Sequence, residues 1–319
     1  MSIWKRVRKF VRAKSSEESL PSPPAATEEP ANVAAAAPTG ERPVLGPQDG
    51  GALEVEICLQ TDPGLVRANN EDRGVYKTPS NPEVAAQKGT LVMVADGMGG
   101  ASAGEVASEL AIRLVPEFYY SSTQPPALAL KEALERASSE IHRTAQSDPE
   151  LRGMGTTCVA VAILPPEVYM AYVGDSRLYL LRDQSFYQLS EDHSVVFEMV
   201  RKGILTRDQA KSHEERNVLS MSMGGRPEIQ ASFWEKPMVS HEGDRLLICS
   251  DGLHDLVSDT EMQAIIADAP VDRAVHNLIA TANLRGGLDN ITAALIHFRA
   301  AREPQTESRA TREVMISTT

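Results

Sequence analysis

Between residues 53 and 300 the strand-like segments of this chain come in runs and its helix-like segments in pairs. That order excludes the alternating strand-helix-strand winding of a parallel sheet. Leu53, Val55, Ile57 and Leu59 alternate with Glu54, Glu56, Cys58 and Gln60, the period of a strand with one buried face. Further strands are expected at 74–78, 90–95, 156–164, 168–181, 186–189, 228–235, 245–249 and 290–298. Apolar spacings of three and four recur at Val106, Leu110 and Leu114, and at Leu130, Leu134, Ala137, Ile141 and Ala145. Two more helices are expected at 260–268 and 272–284. The grouping predicts an α+β fold of two packed antiparallel sheets with helices outside.

The ends of the chain have a different composition. Residues 1–14 carry Lys5, Arg6, Arg8, Lys9, Arg12 and Lys14 and no acid. With −12 overall, this +6 arm leaves −18 on the rest. Ile3, Trp4, Val7, Phe10 and Val11 fall at near-helical spacing, so the arm reads either as a basic amphipathic helix making weak contact with an anionic membrane or a partner, or as a disordered solubilising extension. Residues 15–50 are dominated by Pro, Ala, Ser and Glu and offer too little apolar surface to offset their ordering entropy. They are expected to form a disordered linker, and 301–319 a disordered tail, leaving a folded unit at 53–300.

An acidic chain has no general attraction for nucleic-acid phosphate. No apolar run approaches the roughly 18 residues of a membrane span and the first residues lack the apolar centre of a secretory signal, so a cytoplasmic location is expected. Cys58, Cys158 and Cys249 lie in apolar stretches without a CxxC pair and read as core thiols.

The chemistry is written where apolar runs meet acids. Residues 91–95 run into Asp96-Gly97, 246–250 into Asp251-Gly252, and Val173-Gly174 into Asp175, while Asp289 precedes the apolar run 291–298. Each Asp-Gly pair alone is a common turn. Four aspartates at the edges of buried strands, however, would repel and resist desolvation unless a cation neutralised them. Hard oxygen donors and the absence of closely paired histidines favour Mg²⁺ or Mn²⁺ over zinc. Arg67, on a loop with Glu71 and Asp72, is either a bidentate phosphate ligand or a surface partner of Glu71.

Other chemistries fail on spacing. Gly100-Ala101-Ser102-Ala103-Gly104 fits the GxSxG pattern, but the strand ends too early for a nucleophile elbow, and Ser102 with Glu105 forms a helix capping box. A cysteine phosphatase needs Arg six residues after its Cys; Leu164, Gly64 and Asp255 stand there. No Gly-Lys dipeptide exists to serve a P-loop.

Residues 62–72, Val94-Ala95-Asp96-Gly97-Met98-Gly99-Gly100, Gly153-Met154-Gly155-Thr156-Thr157, Val173-Gly174-Asp175-Ser176-Arg177, Asp192-His193-Ser194, Cys249-Ser250-Asp251-Gly252-Leu253 and Asp289-Asn290-Ile291-Thr292 resemble, in order and spacing, the motifs of the metal-dependent type 2C serine/threonine protein phosphatases of bacterial type. The resemblance implies an antiparallel β-sandwich flanked by pairs of α-helices, with two or three Mn²⁺ or Mg²⁺ ions at one end. It implies that Asp96 bridges two ions, that the Gly97 carbonyl binds one, that Asp251 and Asp289 bind the other, and that Asp175 with Asp251 holds a third. Arg67 would bind phosphate, and Glu71 and Asp72 would hold metal-bound waters. The implied reaction is hydrolysis of phosphoserine and phosphothreonine on proteins by a metal-activated bridging water, opposing a serine/threonine kinase, by a monomeric enzyme. The alternative is a catalytically weak phosphoprotein-binding module on the same fold.

Two positions depart from the pattern. Met98 stands where many eukaryotic relatives have a histidine proposed as general acid, which leaves a metal-bound water, or less well His193, to protonate the leaving oxygen. Met221 replaces an arginine frequent in bacterial relatives. Residues 193–225, with Phe197, Met199 and Arg201, are expected to form a mobile flap that helps select substrates.

Overall fold

The computed structural model describes residues 53–99 and 103–301. The basic arm, the linker, nearly all of the tail and the Gly100-Ala101-Ser102 segment lie outside the described residues.

Strand alternation builds two antiparallel sheets. The first has the order β1 (Leu53–Asp62), β12 (Ile291–Ala300), β11 (Arg245–Cys249), β7 (Arg177–Arg182) and β8 (Ser185–Gln188). The second has the order β10 (Met238–Val239), β6 (Glu167–Val173), β5 (Cys158–Leu164), β3 (Thr90–Met98) and β2 (Asp72–Lys77). The two-residue strands β4 (Gly155–Thr156) and β9 (Ser232–Phe233) pair with β3 and β6. Every pairing is antiparallel.

The central strands read as unbroken apolar runs because both of their faces are buried. On β3, Val92 and Val94 point to the opposite sheet, where they meet Leu178, Leu180, Leu246, Ile248 and Ile296. Leu91, Met93 and Ala95 point the other way, onto helices α2 (Ala103–Ser121) and α3 (Pro126–Ser147). In the first sheet Leu247, Cys249, Ala293 and Leu295 pack under α7 (Asp259–Ile266) and α8 (Val271–Leu284). The result is four layers, helix pair, sheet, sheet, helix pair, with three apolar interiors. Cys158 and Cys249 are buried free thiols, and burial pushes the Cys158 thiol up to about 12.

The expected strand 168–181 is two strands. At Gly174 the backbone takes φ 103°, and a Cβ there would stand 2.6 Å from Thr157 Cβ, so only glycine lets the chain cross so close and leave the sheet. This break puts Asp175 between the two sheets. The expected strand 228–235 shrinks to Ser232–Phe233. Two short helices had no period long enough to read: α1 (Pro82–Lys88), capped by Asn81, and α6 (Asp251–His254). Within 193–225 lie α4 (Val195–Arg201), capped by Ser194, and α5 (Arg207–Lys211), closed by a capping box of Thr206 and Gln209. Phe197 and Met199 are half-buried and Arg201 is exposed.

Antiparallel pairing settles where the acids go. Asp72 begins β2 in direct register with Asp96 near the end of β3. Asp251 follows β11 and Asp289 precedes β12, which pair antiparallel, and Asp175 joins β6 to β7. All five therefore lie at one end of the sandwich. At the other end, Arg182 and Asp244 form a buried pair, Nε to Oδ1 at 2.8 Å and Nη2 to Oδ2 at 2.5 Å.

Candidate metal centre

Five acids from five different segments meet at this end, and four of them are pushed away from their ordinary ionisation. Burial and then the charge of Asp251 are the main upward pressures on Asp175, which rises to about 7. Burial likewise lifts Asp72 to about 7, against hydrogen bonds from Ser250 and Thr292. Asp96 lies well above the ordinary carboxylate range, through burial and then Asp72, and Asp251 is raised by burial. Asp96 and Asp251 lie close enough for each to shift the other's ionisation. Two carboxylate oxygens, Asp72 Oδ1 and Asp251 Oδ1, are buried without any hydrogen-bond partner.

Such orphaned oxygens are expensive unless a cation meets them. The donor set is all oxygen, as a hard divalent ion prefers. The residues present fit Mn²⁺ or Mg²⁺. Asp289 stands differently: its Oδ2 accepts from Arg67 Nη2 at 2.6 Å and its Oδ1 from the Asn290 N–H at 2.9 Å. Among the described residues no three Asp, Glu, His or Cys side chains already converge on one ion-sized point. Bringing Asp289 to the other acids means drawing it from the Arg67 guanidinium.

Several groups that position the acids carry no motif of their own in the sequence. Ser250 Oγ donates to Asp72 Oδ2 at 2.7 Å and accepts from the Thr292 N–H at 3.0 Å, tying β2 to the first sheet. Thr157 Oγ1 accepts from the Asp96 N–H at 3.0 Å and lies 2.7 Å from Ser176 Oγ. Asn290 binds the loop carrying Arg67 at three points: its Oδ1 takes the Glu71 N–H at 2.7 Å, and its Nδ2 donates to the carbonyls of Pro63 and Asn69 at 3.0 and 2.9 Å. His254 places Nε2 3.2 Å from the Asp175 carbonyl. The legible signal was positional, since Ser250 and Asn290 each adjoin a strand-end aspartate. Gly97 is walled in: a Cβ there would lie 2.2 Å from the Gly104 carbonyl oxygen and 2.6 Å from that of Glu71. The Glu71 carbonyl accepts from Ser108 Oγ at 2.6 Å, so β2, β3 and α2 lock together at this corner.

His193 does not present its ring to the acids. Its Nδ1 accepts from the Gly174 N–H at 3.1 Å, its Nε2 lies 3.0 Å from Ser232 Oγ, and the ring stacks on Tyr172 at 5.0 Å. Burial lowers its pKa, so near pH 7 it is neutral and committed to packing. Met221 packs partly buried against the interior formed by the second sheet and its helices, which an arginine could not do without burying charge. Glu105 forms an ion pair with Arg73 at 2.6 Å.

A four-layer sandwich with acids gathered at one strand end is the frame of a metal-dependent hydrolase. The model of a known family, Protein phosphatase 2C, matches residues 81–290. The protein phosphatase PhpP of Streptococcus pneumoniae is 37% identical over 247 residues, covering 76% of this chain and 97% of that protein. Among solved structures, the serine/threonine phosphatase PstP/Ppp of Mycobacterium tuberculosis superposes with a TM-score of 0.68 at 33% identity, covering 77% of this chain and 99% of that one. A structure of the PstP catalytic domain in complex with two manganese ions gives a TM-score of 0.67 at 32% identity, covering 78% and 100%. This chain belongs to the protein phosphatase 2C family. With that membership comes its chemistry, the metal-dependent dephosphorylation of serine and threonine residues in proteins.

Proposed function

We propose that Asp96, Asp251 and Asp289, with the Gly97 carbonyl, hold two divalent ions, Mn²⁺ or Mg²⁺, and that Asp175 with Asp251 offers a third position. The observation that carries this reading is the pair of buried, unpartnered oxygens on Asp72 and Asp251 among acids whose charges repel. When bound, the ions supply the charge that these carboxylates lack and make water acidic enough to attack phosphorus near neutral pH. Asp72, fixed through Ser250, and Glu71, fixed through Asn290, orient water around the ions. Arg67 grips the non-bridging phosphoryl oxygens and steadies them as charge shifts in the transition state. Met98 carries no ionisable proton and the His193 ring is engaged elsewhere, so neither side chain protonates the leaving hydroxyl.

Residues 193–225 act as a flap beside the acids, with Phe197, Met199 and Arg201 contributing to substrate choice. The domain of residues 53–300 works as a monomer in the cytoplasm against phosphoproteins made by an opposing serine/threonine kinase. Residues 1–14 add a weak contact with anionic membrane or a partner.

Replacing Arg67 by alanine is expected to lower kcat/KM for a phosphothreonine peptide about 10–100-fold, the worth of about 1.5–3 kcal/mol for a charge-assisted contact. Steady-state phosphate release with Mn²⁺ measures it. Wild-type turnover that persists in EDTA would defeat the metal-dependent mechanism, and no turnover under any metal would return the chain to the phosphoprotein-binding reading.

A further inference from the structure

Large apolar side chains left in water are unevenly placed on this molecule. Ten are exposed among the described residues, and four of them, Leu65, Val66, Leu284 and Leu288, flank Arg67 and Asp289 in the chain. Leu65 is 69% exposed, Val66 64%, Leu284 89% and Leu288 60%. Concentration beside one site, rather than exposure as such, calls for an explanation.

The two loops that carry them are joined along their backbones. The Leu65 N–H donates to the Gly287 carbonyl at 2.8 Å. A Cβ on Gly287 would stand 2.8 Å from the Leu65 nitrogen, and one on Gly64, at φ 74°, would stand 2.3 Å from the Asp289 carbonyl oxygen. Glycine at both positions is what lets the loops touch. Asp62 Oδ1 ties the same junction by accepting from the Gly64 N–H at 2.9 Å and Asn283 Nδ2 at 3.1 Å. The leucines and the valine therefore stand on a braced platform whose ordering is already complete before any ligand arrives.

We propose that Leu65, Val66 and Leu288 form a specificity platform that receives an apolar side chain next to the phosphoserine or phosphothreonine of the substrate. The proposal rests on the reading that Arg67 holds the phosphoryl group. With the phosphate at Arg67, an extended peptide advances roughly 3.3 Å per residue, so its nearest neighbours in sequence fall over the side chains adjoining Arg67. Burying an aliphatic group there removes apolar surface on both partners from water. The preferred substrates are phosphoproteins with Leu, Ile, Val, Met or Phe within two residues of the phosphorylated position.

The test uses the full chain with Mn²⁺ and phosphothreonine peptides differing only in whether the four flanking positions hold leucine or serine. Wild type is expected to favour a leucine-flanked peptide about tenfold in kcat/KM, and the double variant Leu65→Ser/Leu288→Ser to reduce that ratio to near one. Val66→Ser, which leaves both ends of the bracing bond between Leu65 and Gly287 in place, should reduce it about threefold. No flank preference in wild type, or an undiminished ratio in both variants, would overturn the proposal. So would a concentration-dependent dimer dissolved by the same substitutions, which would assign the face to a second copy of the chain. Turnover of a flankless phosphomonoester by wild type and Arg67→Ala reports on the phosphate reading separately.

Discussion

Asp251→Asn is expected to lower phosphothreonine-peptide turnover about a thousandfold or more and, in the same protein stripped of metal, to raise the thermal midpoint. The two effects have one cause. Asp251 sits among acids that burial and mutual repulsion hold away from their ionised forms, and one of its oxygens has no partner. Its charge destabilises the fold and is useful only when a cation meets it. Removing a divalent-ion ligand forfeits several kcal/mol of transition-state stabilisation, at about 1.4 kcal/mol per tenfold. Removing a repelled buried charge should raise the midpoint by about 2–4 °C.

The pH dependence has the same sign. Asp72 and Asp175 bind their protons more tightly in the folded state, at about 7, than at the ordinary value of 3.8. An acid raised in this way favours folding most below its unfolded pKa, and that stability is lost as pH climbs from about 4 through about 7. Metal-free protein should therefore have a higher urea midpoint at pH 5 than at pH 8, and saturating Mn²⁺ should lessen the difference. Equal midpoints in EDTA at both pH values would show that the acids are not held together.

The second large effect lies at the opposite end of the sandwich. Arg182→Leu is expected to cost about 3–5 kcal/mol, because it strands Asp244 as a buried charge. Arg182 is 6% exposed and Asp244 2%; the guanidinium holds both carboxylate oxygens and the Val239 carbonyl, while Asp244 also takes the His241 N–H at 2.8 Å. A double variant, Arg182→Leu/Asp244→Asn, should recover part of the loss, since no charge is then left unpaired. Denaturant unfolding measures both. Residual folded Arg182→Leu should keep its metal-dependent turnover, because the pair lies a full strand length from the acids. A loss under about 1 kcal/mol would mean water reaches Asp244.

The contrast between these two ends explains how far the sequence could be read. Periodicity located β1, β3, β11, β12 and the long helices because each of them buries whole faces, and burial is what residue pattern records. It merged β6 and β7 because the break at Gly174 is made by one backbone angle and a close approach to Thr157, neither of which has a period. The acids were legible as letters at strand ends, and antiparallel register then brought them to one end of the sandwich. What held them there was not legible. Ser250, Thr157 and Asn290 act through a few individual hydrogen bonds across 42 to 227 residues of chain, and such pairings follow from topology alone. His193 misled for the converse reason: a histidine beside an aspartate suggests chemistry, yet the fold spends both of its nitrogens on Gly174 and Ser232. The Arg67–Asp289 pair was equally out of reach, joining residues 222 positions apart.

The central claim is that Asp96 and Asp251 share their load with divalent cations. Diffraction from crystals grown in Mn²⁺, recorded at the manganese absorption edge, tests it most directly. The account predicts anomalous peaks within coordination distance of Asp96, one of them shared with Asp251 and with an Asp289 drawn away from Arg67. Peaks only at surface carboxylates, with none in reach of Asp96 and Asp251, would contradict it.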